Sequence, residues 1–271
     1  MKKIDTLVED IYGVFDTEPK IDPEGVKALG EDIARIVSEQ FDKRKPRLRL
    51  SNLGKPCRRQ LWYSINCPEL GEKLSGSTRI KFIIGHITEA VVLFLARLAG
   101  HTVTDEQKEV DINGVKGHID GLIDDELVDV KSASPYSFRK FEDGLTPDSD
   151  AFGYLNQLGS YGSALDRPRG HFLAVDKVLG KLTLDTHDVR RTRDDYAADA
   201  DAVREVLASN QPPPRAYSDV PEGASGNRKL DVACSYCEFK GTCWPGLQTY
   251  AYSRGPVFLT KVVRAPRVER A

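Results

Sequence analysis

The hydrophobic pattern switches period along the chain. Ile80, Phe82, Ile83, Ile84, Ile87, Val91, Phe94, Leu95 and Leu98 recur at helical spacing, which predicts a helix over 80–98 that stops at Gly100. Being apolar nearly all round, this helix is expected to be buried. Asp22-Pro23-Glu24 reads as an N-cap, a proline at the first helical position and an acidic first turn, opening a helix to about Phe41. Past Gly100 the period changes. Residues 103–112, 115–123 and 126–132 are short β-branched runs separated by the turn pairs Asn113-Gly114 and Asp124-Asp125, which predicts a three-stranded meander. Helical spacing returns over 150–165 and 189–208, with strands predicted over 170–176 and 181–186. A stretch rich in Pro, Gly and Ser, 211–227, then leads into a cysteine cluster, and there is no internal repeat. The order of elements predicts an α/β core with extensions at both ends.

Composition narrows the class. With 271 residues, 40% hydrophobic and 30% charged, the chain can bury a core, and global disorder is excluded. Its densest apolar stretch, 82–99, is interrupted by His86, Thr88, Glu89 and Arg97, so no membrane span or membrane partner is expected. The first ten residues turn acidic where a signal peptide would be apolar, and a cytoplasmic location is expected. In a reducing compartment the five cysteines read as metal ligands, buried thiols or nucleophiles rather than a disulfide framework. The formal net charge of −2 hides a segregated pattern. Residues 1–40 carry ten acidic and five basic side chains, whereas 43–59 carries eight basic and none acidic. That block reads either as a phosphate-binding surface or as a solvated basic linker. Arg254, Lys261, Arg264, Arg267 and Arg270 form a second basic segment, read as a tail.

The turn at Asp124-Asp125 has a chemical consequence. Taken as a two-residue hairpin, it pairs positions whose numbers sum to 249, which sets Asp120 opposite Asp129. Directly opposed side chains stand ~4.5–5.5 Å apart, where two carboxylates repel unless a cation lies between them. Lys131, two residues beyond Asp129, falls on the same face. Oxygen donors of this kind suit magnesium or manganese, one or two ions. The competing reading makes Asp120 a turn residue and Asp129 with Lys131 a surface ion pair. The apolar setting of Leu122, Ile123, Leu127, Val128 and Val130 favours the metal site.

Gly117-His118-Ile119-Asp120-Gly121 followed by Val128-Asp129-Val130-Lys131-Ser132 resembles the PD-(D/E)XK nuclease signature in its RecB-like branch. Gln157-Leu158-Gly159-Ser160-Tyr161 matches that branch's Q-x-x-x-Y motif, and Gly85-His86-Ile87-Thr88-Glu89 is similar to its upstream helix motif. The resemblance spans about 51–245. It implies a restriction-endonuclease-like core, a mixed central sheet flanked by helices, with a helical N-terminal extension and a C-terminal cysteine cluster. The corresponding parts are 1–50 as helical extension and basic segment, 51–245 as nuclease core, and 246–271 as a basic tail. Glu89, Asp120, Asp129 and the Val130 carbonyl would hold the metal, with His86 a neighbour rather than a ligand. Lys131 would orient water and offset developing charge. Gln157 and Tyr161 would position the nucleic-acid backbone or the hairpin, with stacking of Tyr161 on a base as a further option.

Cys234-x2-Cys237-x5-Cys243 supplies three thiols, and a fourth ligand must come from afar. The segment around Cys57 resembles that bearing the early cysteine in iron-sulfur members of the branch. This implies that Cys57, Cys234, Cys237 and Cys243 hold a four-iron four-sulfur cluster, leaving Cys67 as a buried thiol; four thiolates equally make a zinc site. The implied function is metal-dependent DNA hydrolysis, more as exonuclease than endonuclease. The expected DNA is single-stranded or has free ends, possible partners being a helicase or a recombination protein. The family context is viral recombination, replication or DNA degradation, in a host cytoplasm if viral. The alternative is an inactive nuclease fold that binds single strands or a partner.

Overall fold

The computed structural model describes residues 2–17, 19–41, 46–253 and 255–270. In chain order the first elements are α1 (Leu7–Gly13), α2 (Pro23–Glu39), α3 (Leu50–Leu53), α4 (Arg58–Asn66) and α5 (Gly76–Leu98). The middle of the chain holds β1 (Val103–Thr104), β2 (Glu109–Ile112), β3 (Val115–His118), β4 (Gly121–Ile123) and β5 (Glu126–Ala133). There follow α6 (Pro135–Glu142), α7 (Tyr154–Ala164), β6 (Arg169–Asp176), β7 (Leu182–Asp188) and α8 (Arg193–Ala208). The last elements are β8 (Val220–Pro221), β9 (Arg228–Lys229), α9 (Val232–Ser235), α10 (Lys240–Cys243), β10 (Gln248–Tyr252) and β11 (Gly255–Lys261). Two compact units result: Met1–Gly54 with Ser75–Ala200, and Lys55–Leu74 with Asp201–Ala271. Among the described residues no helix is long and apolar enough to cross a membrane.

The first unit is a mixed α/β fold around a five-stranded sheet in the order β1-β4-β5-β6-β7, in which only β5 and β6 run parallel. A parallel neighbour needs a crossover, and the chain makes it through α6 and α7. One face of the sheet buries Val128, Val130, Leu173 and Val175 against Val92, Leu93 and Ala96 of α5 and Leu7 and Ile11 of α1. Strand alternation sends Leu127, Asp129 and Lys131 to the opposite face, where α6 packs Phe141 edge-on to Phe172. The Asp22 carboxylate caps α2 by accepting from the Glu24 and Gly25 amides, as the sequence predicts.

Three expectations need correction. The meander is five strands, because the chain breaks at Asp105 and Gln107, both at positive φ, and again at Ile119-Asp120. As a result β2 and β3 pair in a sheet of their own, separate from β4 and β5. Secondly, α5 is not buried throughout: Val92, Leu93 and Ala96 are covered, but Ile80, Phe82 and Ile84 are 57%, 49% and 46% exposed. The end of α5 from Val92 to Leu98 packs with the sheet and α1. Thirdly, residues 246–271 are not a loose tail, since β10 and β11 form a four-stranded sheet with β9 and β8. Arg254 of that segment, and Lys43, Arg44 and Lys45 of the first basic block, lie outside the described residues.

The second unit has its own small core. Tyr63 stacks on Phe239 at 5.5 Å, Trp62 packs edge-on to Tyr63, and Cys67 and Cys237 lie against this group. Arg59, from the basic block, donates to the Pro213 carbonyl at 2.7 Å and to Tyr63 Oη at 3.2 Å, so it holds this unit together.

Candidate active site

The hairpin that sets the site follows the predicted register. Gly121 pairs with Val128, Leu122 with Leu127 and Ile123 with Glu126, and the turn residues Asp124 and Asp125 both take positive φ, as a type I′ turn requires. A carboxylate makes this affordable for a non-glycine residue: Asp124 accepts from the Thr102 amide at 3.0 Å and lies 2.6 Å from His101 Nδ1.

The ladder ends one pair short of Asp120. Here the chain passes from one sheet to the other, and Asp120 Oδ2 accepts the Val130 amide at 2.7 Å, in place of a ladder bond. Asp129 is fully buried, ion-paired with Lys131, and its Oδ1 accepts from Gln157 Nε2 at 3.1 Å. The Asp129–Lys131 pair is therefore no surface decoration. Lys131 also sits 4.8 Å from the centroid of the Tyr154 ring.

Gln157 and Tyr161 face the same way on α7, with Nε2 and Oη 3.5 Å apart. Tyr161 is 2% exposed, so its ring is packed and not free to stack on a base. A Cβ at position 117 would come within 2.6 Å of Tyr161 Cε1 and 3.0 Å of Leu50 Cβ, which is why β3 carries Gly117 there. Glu89, on α5, accepts from Gln107 Nε2 at 2.7 Å, while His86 Nδ1 stands 3.8 Å from Glu89.

Electrostatics bind these groups into one cluster. Burial raises the Asp120 proton affinity well above the ordinary carboxylate range, with the charges of Asp129 and Glu89 adding to it. Asp129 is raised by burial, with Lys131 opposing and the charge of Glu89 adding to the rise. Burial works against the charge on Lys131, but Asp129 and Asp120 outweigh it and hold the ammonium above its usual range. The Tyr161 phenol is pushed up by burial and by the same two carboxylates.

A cavity of about 470 Å³ opens onto this cluster and is lined by Glu89, Asp120, Gln157 and Tyr161. Arg47, Arg49, Lys116 and His118 line it too. The basic block is thus divided: Arg47 and Arg49 reach the site, while Arg59 serves the second unit. Lys116 and His118 alternate with buried Val115 and Gly117, so strand period could have found them, whereas nothing local marks Gln107.

Glu89, Asp120 and Asp129 face one ammonium, a surplus of negative charge, and Asp129 Oδ2 accepts no hydrogen bond of regular geometry. An all-oxygen set of this kind fits a hard divalent cation. As the side chains stand, no three His, Cys, Asp or Glu among the described residues converge as a closed ligand group. The carboxylates are turned apart: Glu89 to Gln107, Asp120 to the Val130 amide, Asp129 to Lys131 and Gln157.

The same holds in the second unit. All five cysteines are free and half-buried. The Cys234 thiol is pushed up to about 11 by burial and by the nearness of Cys57, Cys237 and Cys243, and Cys237 likewise to about 11 by burial, Cys57 and Cys243. Four neighbouring soft donors, neutral when bare, fit a thiolate-binding metal centre. Cys67 packs with Cys237 against Trp62, Tyr63 and Phe239.

No protein-family model and no curated protein sequence matches the chain. Among solved structures, SSO0001 is similar at 15% identity and a TM-score of 0.43, covering 79% of this chain and 93% of its own. The alkaline exonuclease LHK-Exo from Laribacter hongkongensis is similar at 17% identity and a TM-score of 0.39, covering 63% of this chain and 92% of its own. Its complex with dAMP gives 16% and 0.41, covering 63% and 94%. At such identities and TM-scores, any functional reading rests on the side chains described above.

Proposed function

We propose that the chain is a divalent-metal-dependent nuclease that hydrolyses phosphodiester bonds of DNA from free ends. One observation supports this reading: Glu89, Asp120 and Lys131, each half-buried, gather with the buried Asp129 beneath a cavity rimmed by Arg47, Arg49 and Lys116. Carboxylates alone would repel a phosphodiester, and cations alone would only bind it.

Glu89, Asp120, Asp129 and the Val130 carbonyl would hold magnesium or manganese, which supplies Lewis-acid polarisation of the phosphate and a low-pKa water. The chain's own groups do the rest. Lys131 places a fixed positive charge where charge develops on the phosphate oxygens. Gln157 holds Asp129 Oδ1 in place, and Tyr161 backs Gln157 from the packed side of α7. Arg47 and Arg49 take neighbouring phosphates. In the second unit Cys57, Cys234, Cys237 and Cys243 are proposed to hold a four-iron four-sulfur cluster with a structural role, zinc being the rival occupant.

The test is cleavage of end-labelled DNA in magnesium or manganese. The wild type and Cys67→Ala should cut, and Asp129→Ala should not. Tight binding by a folded wild type that cuts neither DNA nor RNA would sink the enzyme reading in favour of an inert binding module. A brown preparation that bleaches on reduction identifies iron-sulfur; a colourless one with bound zinc overturns it.

A further inference from the structure

Lys131 has a second side. Away from the Glu89 side of the cluster, a separate cavity of about 200 Å³ is lined by Lys131, Ser132, Ser134, Lys140, Phe152 and Lys177. Its charge is one-sided. The one carboxylate in its lining, Asp150, is engaged by backbone amides, accepting from Phe152, Gly153, Tyr154 and Leu155 at 3.3, 2.9, 3.0 and 2.8 Å. Lys140 donates to the Ser149 carbonyl at 2.8 Å and lies 5.7 Å from the Tyr136 ring centroid, with no carboxylate partner among the described residues. Lys177 is exposed at the mouth. Lys131 is already taken up by Asp129, but Lys140 and Lys177, neither ion-paired among the described residues, add two further ammonium groups around so small a volume and call for an anion rich in oxygen acceptors.

The rim adds a second feature. Phe152 is 52% exposed, and its ring lies 5.5 Å from that of Tyr154 at 35°, extending an aromatic wall out of the pocket. A basic groove beside an exposed aromatic face is the arrangement that binds single strands, the phosphate on the cations and the base on the ring. The volume agrees with this division. At about 200 Å³ the pocket is smaller than the ~300–1,000 Å³ of whole-ligand sites, so it takes a phosphate and sugar and leaves the base outside.

We propose that this pocket seats the unpaired nucleotide next to the scissile phosphate, with its phosphate on Lys140 and Lys177 and its base on Phe152. Sharing Lys131 with the carboxylate cluster is what makes the two positions adjacent. The proposal rests on the nuclease reading and narrows it to a single-stranded end, because a base stacked within a duplex has no free face for Phe152.

The test is binding of a fluorescent single-stranded 12-mer and its blunt duplex to the full chain in EDTA, where cleavage is off. Phe152→Ala and Phe152→Leu should weaken single-strand binding roughly 5- to 100-fold, with Phe152→Trp restoring it and duplex binding nearly unchanged. In the Lys140→Ala/Lys177→Ala protein the slope of log affinity against log salt should fall by about 1.4, two single-strand phosphate contacts at ~0.7 each. Equal single-strand binding by Phe152→Ala and wild type overturns the proposal, as does Phe152→Leu matching wild type, or a wild type that does not bind the strand. Manganese-dependent cleavage separates the two claims. Cutting by wild type with binding indifferent to Phe152 removes the pocket and leaves the nuclease. Phe152-dependent binding without any cutting does the reverse.

Discussion

Replacing Lys131 by methionine removes one buried positive charge while keeping most of the side chain's length and apolar contact. In the wild type the ammonium is 17% exposed, pairs with the nearly inaccessible Asp129 and is also attracted by Asp120. Without it two buried carboxyls lose their compensating cation, a change that costs about 3–5 kcal/mol when one partner of a buried pair is deleted. At roughly 2–4 °C per kcal/mol for a domain of this size, the first unit should melt about 6–20 °C lower near neutral pH. The pH dependence follows from the direction of the shifts. Asp120 and Asp129 already have raised proton affinities, from burial first, with the charges of Asp129 and Glu89 adding at Asp120 and that of Glu89 at Asp129, and losing Lys131 raises them further. A carboxyl whose folded pKa exceeds its unfolded value supports the fold at acid pH and loses that support as pH rises through the folded value. The deficit of Lys131→Met should therefore be largest near about pH 8 and shrink toward about pH 5. Manganese should stabilise the variant more than the wild type, since a dication restores the missing charge to the same carboxylates. The measurement is urea unfolding at both pH values, with and without manganese. A variant as stable as wild type at the higher pH, or a deficit independent of pH, would show that the carboxylates do not depend on Lys131 and would refute the reasoning.

Gln157→Ala removes the donor on Asp129 Oδ1 without touching a charge; metal-dependent cleavage should fall about 10- to 100-fold, the usual effect of losing a ligand's hydrogen-bond partner, while the melting temperature changes little. Full activity would mean that Asp129 is held by other contacts. Gly117→Ala forces a methyl to within 2.6 Å of Tyr161, an overpacking that should cost about 1–3 kcal/mol by denaturant unfolding. Adding Tyr161→Leu, which deletes the clashing ring atom, should recover part of that loss; strictly additive effects would contradict the close approach.

Local rules determined much of the candidate site. The Asp124-Asp125 turn and the two-residue period of strands placed Asp129 and Lys131 on one face, and helical spacing placed Gln157 one turn from Tyr161. These are short-range facts, set by backbone geometry within a few residues, and hence legible in the sequence. What the sequence could not decide is who meets whom across long separations. The change of sheet at Ile119-Asp120, the burial of Tyr161 against Gly117, and the arrival of Gln107 at Glu89 depend on packing between elements far apart in the chain. So do the half-exposed course of α5 and the pairing of β10 and β11, where apolar or basic composition pointed elsewhere. A strand's partner and a helix's covered face are properties of the assembled layers, and no local propensity encodes them.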